Sequence, residues 1–266
     1  MTKLPSYQTL ILQPTGEHLL QVTINRPDSR NALNTQMGHD LVTVFEGVAQ
    51  EPERWRCIVL TGEGEQAFCA GGDLKERDGM TNGAWHSQHL VFERMVRALL
   101  GCPVPLIAAV NGVAYGGGLE IAGACDFIYA AEHARFAMPE GKLGIIPGGG
   151  GTQTLARAVG ERRAKELILS GRPFTAHQAL AWGLVNACFP AANLLPAALD
   201  MARTIAANAP IAVRQAKQSI HKGLQMGLAD GLAFEIEAYN RTVPTQDRRE
   251  GVRAFNEKRP PRFHGR

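Results

Sequence analysis

Three short runs of this chain are apolar almost end to end: Cys57-Ile-Val-Leu-Thr61, Leu106–Val110 and Asp126-Phe-Ile-Tyr-Ala-Ala131. A strand with one wet face would put a polar residue at every second position, so runs like these are strands covered on both sides. Between them lie stretches of helical period. Asn34 or Thr35 can cap a helix carrying Leu41, Val44, Phe45 and Val48 on one face. Residues 84–100 place Leu90, Met95, Val96, Leu99 and Leu100 in the same manner. Buried strands recurring between helices predict an α/β architecture with covered sheets.

The flanking segments are read by the same rules. Leu19–Asn25 alternates from Leu20 onwards, predicts a half-buried strand, and is stopped by Arg26-Pro27-Asp28. Thr61–Gly72 reads as a glycine-rich loop, and Arg135-Phe-Ala-Met138 as an extended piece. Beyond about residue 195 only helical patterns remain: Leu195–Asn208, Ile211–Leu228 and Leu232–Tyr239. Asp247-Arg-Arg-Glu250 would start a last helix through Phe255 in the manner of a capping box. The expected division is a core over 1–195 and a helical region over 196–266.

Composition narrows the class. The 266 residues are 45% apolar and 20% charged, a globular balance that excludes a disordered chain, and the net charge of +3 is too small to argue for nucleic acid. No apolar run approaches the roughly 20 residues of a membrane span, because Glu120 and Asp126 interrupt Leu119–Ala130. Met1-Thr-Lys-Leu-Pro-Ser lacks the apolar core of a secretory signal and the Arg/Ser pattern of an import peptide. Cysteines 57, 69, 102, 125 and 188 are odd in number and form no Cys-x-x-Cys pair. Reduced thiols and a cytoplasmic location follow as expectations.

Two glycine-rich segments, Ala67-Phe-Cys-Ala-Gly-Gly-Asp73 and Asn111-Gly-Val-Ala-Tyr-Gly-Gly-Gly-Leu-Glu120, let main-chain N–H groups approach a ligand. The second runs straight into a helix, whose first amides are unpaired. Tight turns and close packing are the alternative use of such glycines. Neither the phosphate-binding nor the dinucleotide-binding glycine spacing occurs, and no Gly-x-Ser-x-Gly supports a serine nucleophile. His86 and His89, with Glu93 one turn on, have a spacing that zinc can use, but no further ligand cluster accompanies them and a polar helix face is expected instead; no metal is expected. Two carboxylates stand in apolar surroundings, Glu120 in Gly-Leu-Glu-Ile-Ala and Glu140 in Phe-Ala-Met-Pro-Glu. Buried charge is costly, so each is either tied to backbone amides or kept for acid–base chemistry.

Together these segments resemble the enoyl-CoA hydratase/isomerase (crotonase) family. The resemblance rests on Ala67-Phe-Cys-Ala-Gly-Gly-Asp-Leu-Lys-Glu76, Pro105–Gly112, Gly116-Gly-Gly-Leu-Glu120, Cys125-Asp126, Pro139-Glu140, Gly144–Gln153 and Phe255–Pro260, in that order. It covers nearly the whole chain from about Leu19. It implies a crotonase-like spiral core of ββα repeats, then a C-terminal helical region that packs homotrimers or dimers of trimers. It also implies an acyl-CoA substrate, with coenzyme A part of the substrate and no separate cofactor.

By the same resemblance, the amides of Gly72 and Gly117 form an oxyanion hole and Glu120 and Glu140 are catalytic. Isomerases of the family typically keep only one of these carboxylates, so hydration of a 2-enoyl-CoA is expected, with an isomerase as the alternative. Substrate and coenzyme contacts are expected at Arg26, Ala32, Ala70, Asp73, Leu74, Lys75, Pro139 and Gly148, and at Phe255 and Lys258 reaching a neighbouring subunit. Gly79, Gly83, Trp85 and Phe92 are candidates for an acyl pocket. Asp73–Arg77, Ile145–Gln153, Ala164–Ile168 and Lys258–Arg262 look closest to methylglutaconyl-CoA hydratase-like members, which suggests a short or branched acyl chain. Those members also bind AU-rich RNA through a lysine-rich helix, whereas Asn34–Gln50 here holds no lysine or arginine, so RNA is not an expected partner.

Overall fold

The computed structural model describes residues 4–266; Met1–Lys3, part of the stretch expected to carry no leader, lie outside them. The chain opens with an antiparallel hairpin, β1 (Leu10–Gly16) and β2 (Leu19–Ile24), then α1 (Thr35–Gln50). Asn34 caps α1, its side chain accepting from the Met37 amide at 3.0 Å, and Met37, Leu41, Val44, Phe45 and Val48 turn inward.

Three ββα turns follow. The first is β3 (Cys57–Gly62), β4 (Ala67–Cys69), the short α2 (Leu74–Arg77) and α3 (Asn82–Leu100). The second is β5 (Leu106–Val110), β6 (Val113–Tyr115) and α4 (Gly117–Gly123). The third is β7 (Phe127–Ala131), β8 (Arg135–Ala137) and, after a 3₁₀ turn at Glu140–Leu143, α5 (Gly151–Val159). The chain continues through α6 (Glu161–Ser170), β9 (Phe174–Thr175), α7 (Ala176–Ala181), β10 (Ala187–Phe189) and α8 (Ala191–Ala206). It closes with α9 (Pro210–Gly223), α10 (Leu228–Thr242) and α11 (Gln246–Asn256).

In each turn the first strand joins a six-stranded sheet, ordered β1-β2-β3-β5-β7-β10, and the second joins a four-stranded sheet, ordered β4-β6-β8-β9. Pairing is parallel within the repeats and antiparallel only at β1/β2 and β8/β9. This is the expected spiral. The glycine-rich loop 61–72 thus contains a strand, β4, whose three residues are all buried.

Every residue of β3 and β5 is buried. α8 covers one face of the large sheet, packing on β3, β5 and β7, and its inward residues Ala198, Ala202 and Ala206 are small enough to bring the helix close. The expected division at 195/196 falls inside this helix. β2 is also more buried than its alternation predicts: Thr23 is covered, its hydroxyl accepting from Gln21 Nε2 at 3.0 Å, so the half-buried expectation is corrected. Leu90, expected on the packed face of α3, is 51% exposed.

The C-terminal helices differ from the core. α9 and α10 pack on each other as a hairpin and leave Ile220, Leu224, Leu228 and Tyr239 exposed, as α11 leaves Phe255. The cap of α11 is Thr245, which accepts from the Arg248 amide at 3.1 Å, rather than the expected Asp247. Asp247 instead receives the tail, accepting from the amides of His264 at 2.7 Å and Gly265 at 2.8 Å. No helix among the described residues is long and apolar enough to cross a membrane.

Candidate active site

The site begins where β4 ends. Gly71 takes a φ of +105°, and the chain then lies beside Leu33 in an isolated parallel bridge. Leu33 donates to the Gly71 carbonyl and Asp73 donates to the Leu33 carbonyl, both at 2.8 Å. The intervening Gly72 N–H therefore faces the other way and meets no protein acceptor. Asp73 holds the loop: Oδ1 accepts from the Lys75 amide at 3.1 Å and caps α2, while Oδ2 pairs with Arg26 at 2.9 Å. Burial raises the Asp73 pKa, but the Arg26 and backbone hydrogen bonds outweigh it and hold the carboxyl below its usual value. Arg26 also donates to the Ala32 carbonyl, so both residues brace the turn.

The second donor comes from the next ββα turn. Gly116 leaves β6 at φ +48°, and Gly117 starts α4 with its amide unpaired. A Cβ on Gly118 would stand 2.0 Å from the Cys69 carbonyl oxygen, so only glycine lets α4 dock on the end of β4. This contact brings the two amides together: a Cβ on Gly117 would lie 3.9 Å from the Gly72 nitrogen.

Glu120 follows one turn into α4 and is 6% exposed. Its Oε1 accepts from the amides of Gly149 at 2.7 Å and Gly151 at 2.9 Å. Burial raises its pKa; those amides, with His89 and Arg77 nearby, work against the rise. Glu140, in the 3₁₀ turn after β8, is 8% exposed, and its Oε2 is buried without a hydrogen-bond partner. Its pKa is pushed up to about 7, first by burial and then by the charge of Glu120.

Both glutamates and both glycines line one cavity of about 970 Å³. Ala70, Leu74, Pro139 and Gly148 line it as well; Arg26, Ala32, Asp73, Lys75, Phe255 and Lys258 do not. Lys75, Lys258 and Phe255 are exposed. Trp85 and Phe92 line the cavity, whereas Gly79 and Gly83 do not.

Several lining residues were not foreseen in this role. His86 and His89, expected on a polar helix face, border the cavity, and His89 lies 3.7 Å from Glu93. Trp85, His89, Phe92 and Val96 recur at helical spacing along α3, a stripe visible in the sequence once its partner surface is known. Arg77 is a further such residue, with its guanidinium 4.4 Å from the Trp85 ring centre and its Nε donating to Gln88 at 2.8 Å. No group of three or more His, Cys, Asp or Glu suited to a metal occurs among the described residues.

Two backbone N–H groups beside two buried carboxyls can stabilise an oxyanion while moving protons next to it. Known proteins are similar to this chain over most of its length. The family model for enoyl-CoA hydratase/isomerase matches residues 15–266. The mitochondrial methylglutaconyl-CoA hydratase of Homo sapiens is 40% identical over 96% of this chain and 76% of its own length. The short-chain-enoyl-CoA hydratase of Clostridium acetobutylicum is 40% identical over 94% of this chain and 95% of its own. The crystal structure of an enoyl-CoA hydratase from Bacillus anthracis superposes with a TM-score of 0.95 at 41% identity, covering 97% of this chain and 100% of that one.

Proposed function

The chain belongs to the enoyl-CoA hydratase/isomerase family, and on that premise we propose that it is a hydratase. It adds water reversibly to a short or branched 2-enoyl-CoA, with 3-methylglutaconyl-CoA among its candidate substrates. The observation that carries this reading is the pair of buried glutamates on one cavity with the Gly72 and Gly117 amides.

The thioester oxygen accepts from the two amides, each contributing about 3 kcal/mol as negative charge develops there. Glu120, held by two amides, suits the ionised role: it takes a proton from water as the water oxygen bonds to C3. Glu140, with a pKa of about 7, suits the protonated role and delivers its proton to C2 from the same face, a syn-type addition. Proton exchange with solvent restores both groups. The chemistry asks for no cofactor, coenzyme A arriving as part of the substrate. An isomerase would need only one of the two carboxyls.

The exposed apolar residues of α9–α11 support a homotrimer or a dimer of trimers, since a monomer rarely leaves so many uncovered. Five unpaired cysteines are compatible with a cytoplasmic location.

The test follows loss of enoyl absorbance from crotonyl-CoA with purified protein. Turnover that drops at least ~100-fold in both Glu120→Gln and Glu140→Gln supports the assignment. Unchanged activity in both variants refutes it, and conversion of a 3-enoyl-CoA to its 2-enoyl isomer without hydration would favour the isomerase.

A further inference from the structure

The cavity contains a charge that the hydration chemistry does not use. Arg77 is half-buried at the end of α2, and none of its nitrogens lies within ion-pair distance of a carboxylate among the described residues. Its side chain is fixed nonetheless. The guanidinium lies 4.4 Å from the ring centre of Trp85 and 5.5 Å from that of Phe92. Its Nε is taken by Gln88 Oε1 at 2.8 Å.

Gln88 is itself 3% exposed and locked, its Nε2 donating to Glu76 Oε2 and to Thr35 Oγ1, each at 2.8 Å. Glu76 is in turn committed to the Thr35 amide at 2.9 Å. A chain of half-buried polar contacts therefore orients Arg77, while its two Nη atoms meet no protein acceptor. Nη1 lies 3.2 Å from where a Cβ on Gly72 would stand, beside one of the two oxyanion donors.

A planar fork with both outer nitrogens unused matches one ligand group well, a carboxylate held by two parallel hydrogen bonds. The cavity's own carboxyls do not fill that role, since Glu120 is bound to Gly149 and Gly151 and Glu140 sits against Gly116. Asn82 and His86 border the same cavity and add further donors. We propose that Arg77 binds a carboxylate on the acyl chain itself. The preferred substrates are then 2-enoyl-CoA thioesters whose acyl group ends in a carboxylate a few bonds beyond the double bond. This rests on the hydratase reading for the reaction, but not for the binding preference.

The experiment separates the two. In calorimetry, glutaryl-CoA should bind the wild-type protein at least ~10-fold more tightly than butyryl-CoA, which lacks the carboxylate. Arg77→Met should abolish that difference, and Arg77→Lys, which keeps the charge without the fork, should restore part of it. In turnover, the ratio of kcat/KM for glutaconyl-CoA over crotonyl-CoA should fall ~30-fold in Arg77→Met.

Equal binding of the two saturated thioesters by wild type overturns the proposal. So does a variant that weakens both equally, the result expected if Arg77 served coenzyme phosphates or only the charge state of Glu120. If Arg77→Met fails to fold, the wild-type preference and Arg77→Lys decide. A binding preference that survives when neither enoyl thioester is hydrated would remove the hydratase reading and leave the carboxylate site standing.

Discussion

Glu120 and Glu140 share a cavity but not a setting. Glu120 is carried by a helix and anchored by two main-chain amides; Glu140 sits in a single 3₁₀ turn with a buried oxygen that has no partner. The same side chain, buried to a similar degree, is satisfied in one place and left unsatisfied in the other. Burial raises the pKa of both carboxyls, and local hydrogen bonding sets them apart: two amides oppose the rise at Glu120, whereas Glu140 reaches about 7.

The strongest way to break this comparison is to neutralise both groups. Glu120→Gln and Glu140→Gln should each lower kcat by ~1,000-fold, within the usual reach of a positioned acid or base. If the two act on one water and one substrate, as proposed, the double variant should fall little below the worse single variant. Losses that multiply would mean that the groups work independently.

Stability offers a sharper contrast. Glu140 titrates near 4.5 unfolded and at about 7 folded, so the folded state holds its proton more tightly. That contribution is fully present below about pH 4.5 and is lost as the pH rises through about 7. Glu140→Gln should therefore be more stable than wild type at pH 8 to 9, by up to about 3 kcal/mol, with the advantage fading towards pH 4.5. Urea unfolding across that range measures it, and a pH-independent difference would contradict the unsatisfied setting. The same titration should reduce hydration above about pH 7, if Glu140 supplies the proton.

The smallest effect probes the anchor of Glu120. A Cβ on Gly149 would stand 2.7 Å from Glu120 Oε2, so Gly149→Ala should displace the carboxylate and cost ~10- to 100-fold in kcat. Gly144→Ala, in the turn after Glu140, meets nothing within 4 Å but must adopt φ +74°, so its cost should fall mainly on stability.

Much of this arrangement was legible beforehand. Glu120 and Glu140 were conspicuous as charges inside apolar runs, and the buried strands β3, β5 and β7 announced a covered sheet. Asn34 or Thr35 was the expected cap of α1, and Asn34 is the one that takes it. Other elements carried too little signal. β1 is an edge strand with a half-exposed pattern and a proline at position 14, and β9 and β10 have only two and three residues. α6 buries just Ala164 and Leu167, which sets no clear period. The role of Arg77 depends on Gln88, Trp85 and Gly72 meeting in space, and a charge in Asp73-Leu-Lys-Glu-Arg77 reads as solvated until they do. The anchoring amides of Gly149 and Gly151 were hidden for a related reason, because main-chain donors leave no mark on residue identity.

The docking of α4 on the end of β4 has a consequence for how such a site can change over generations. On the proposed reading the groups that polarise the thioester belong to the peptide skeleton, and no codon change at Gly72 or Gly117 deletes a peptide N–H unless it introduces proline. Under that reading, substitutions could replace the acids around the carbonyl and change the outcome, while the main-chain donors that activate the acyl group would persist.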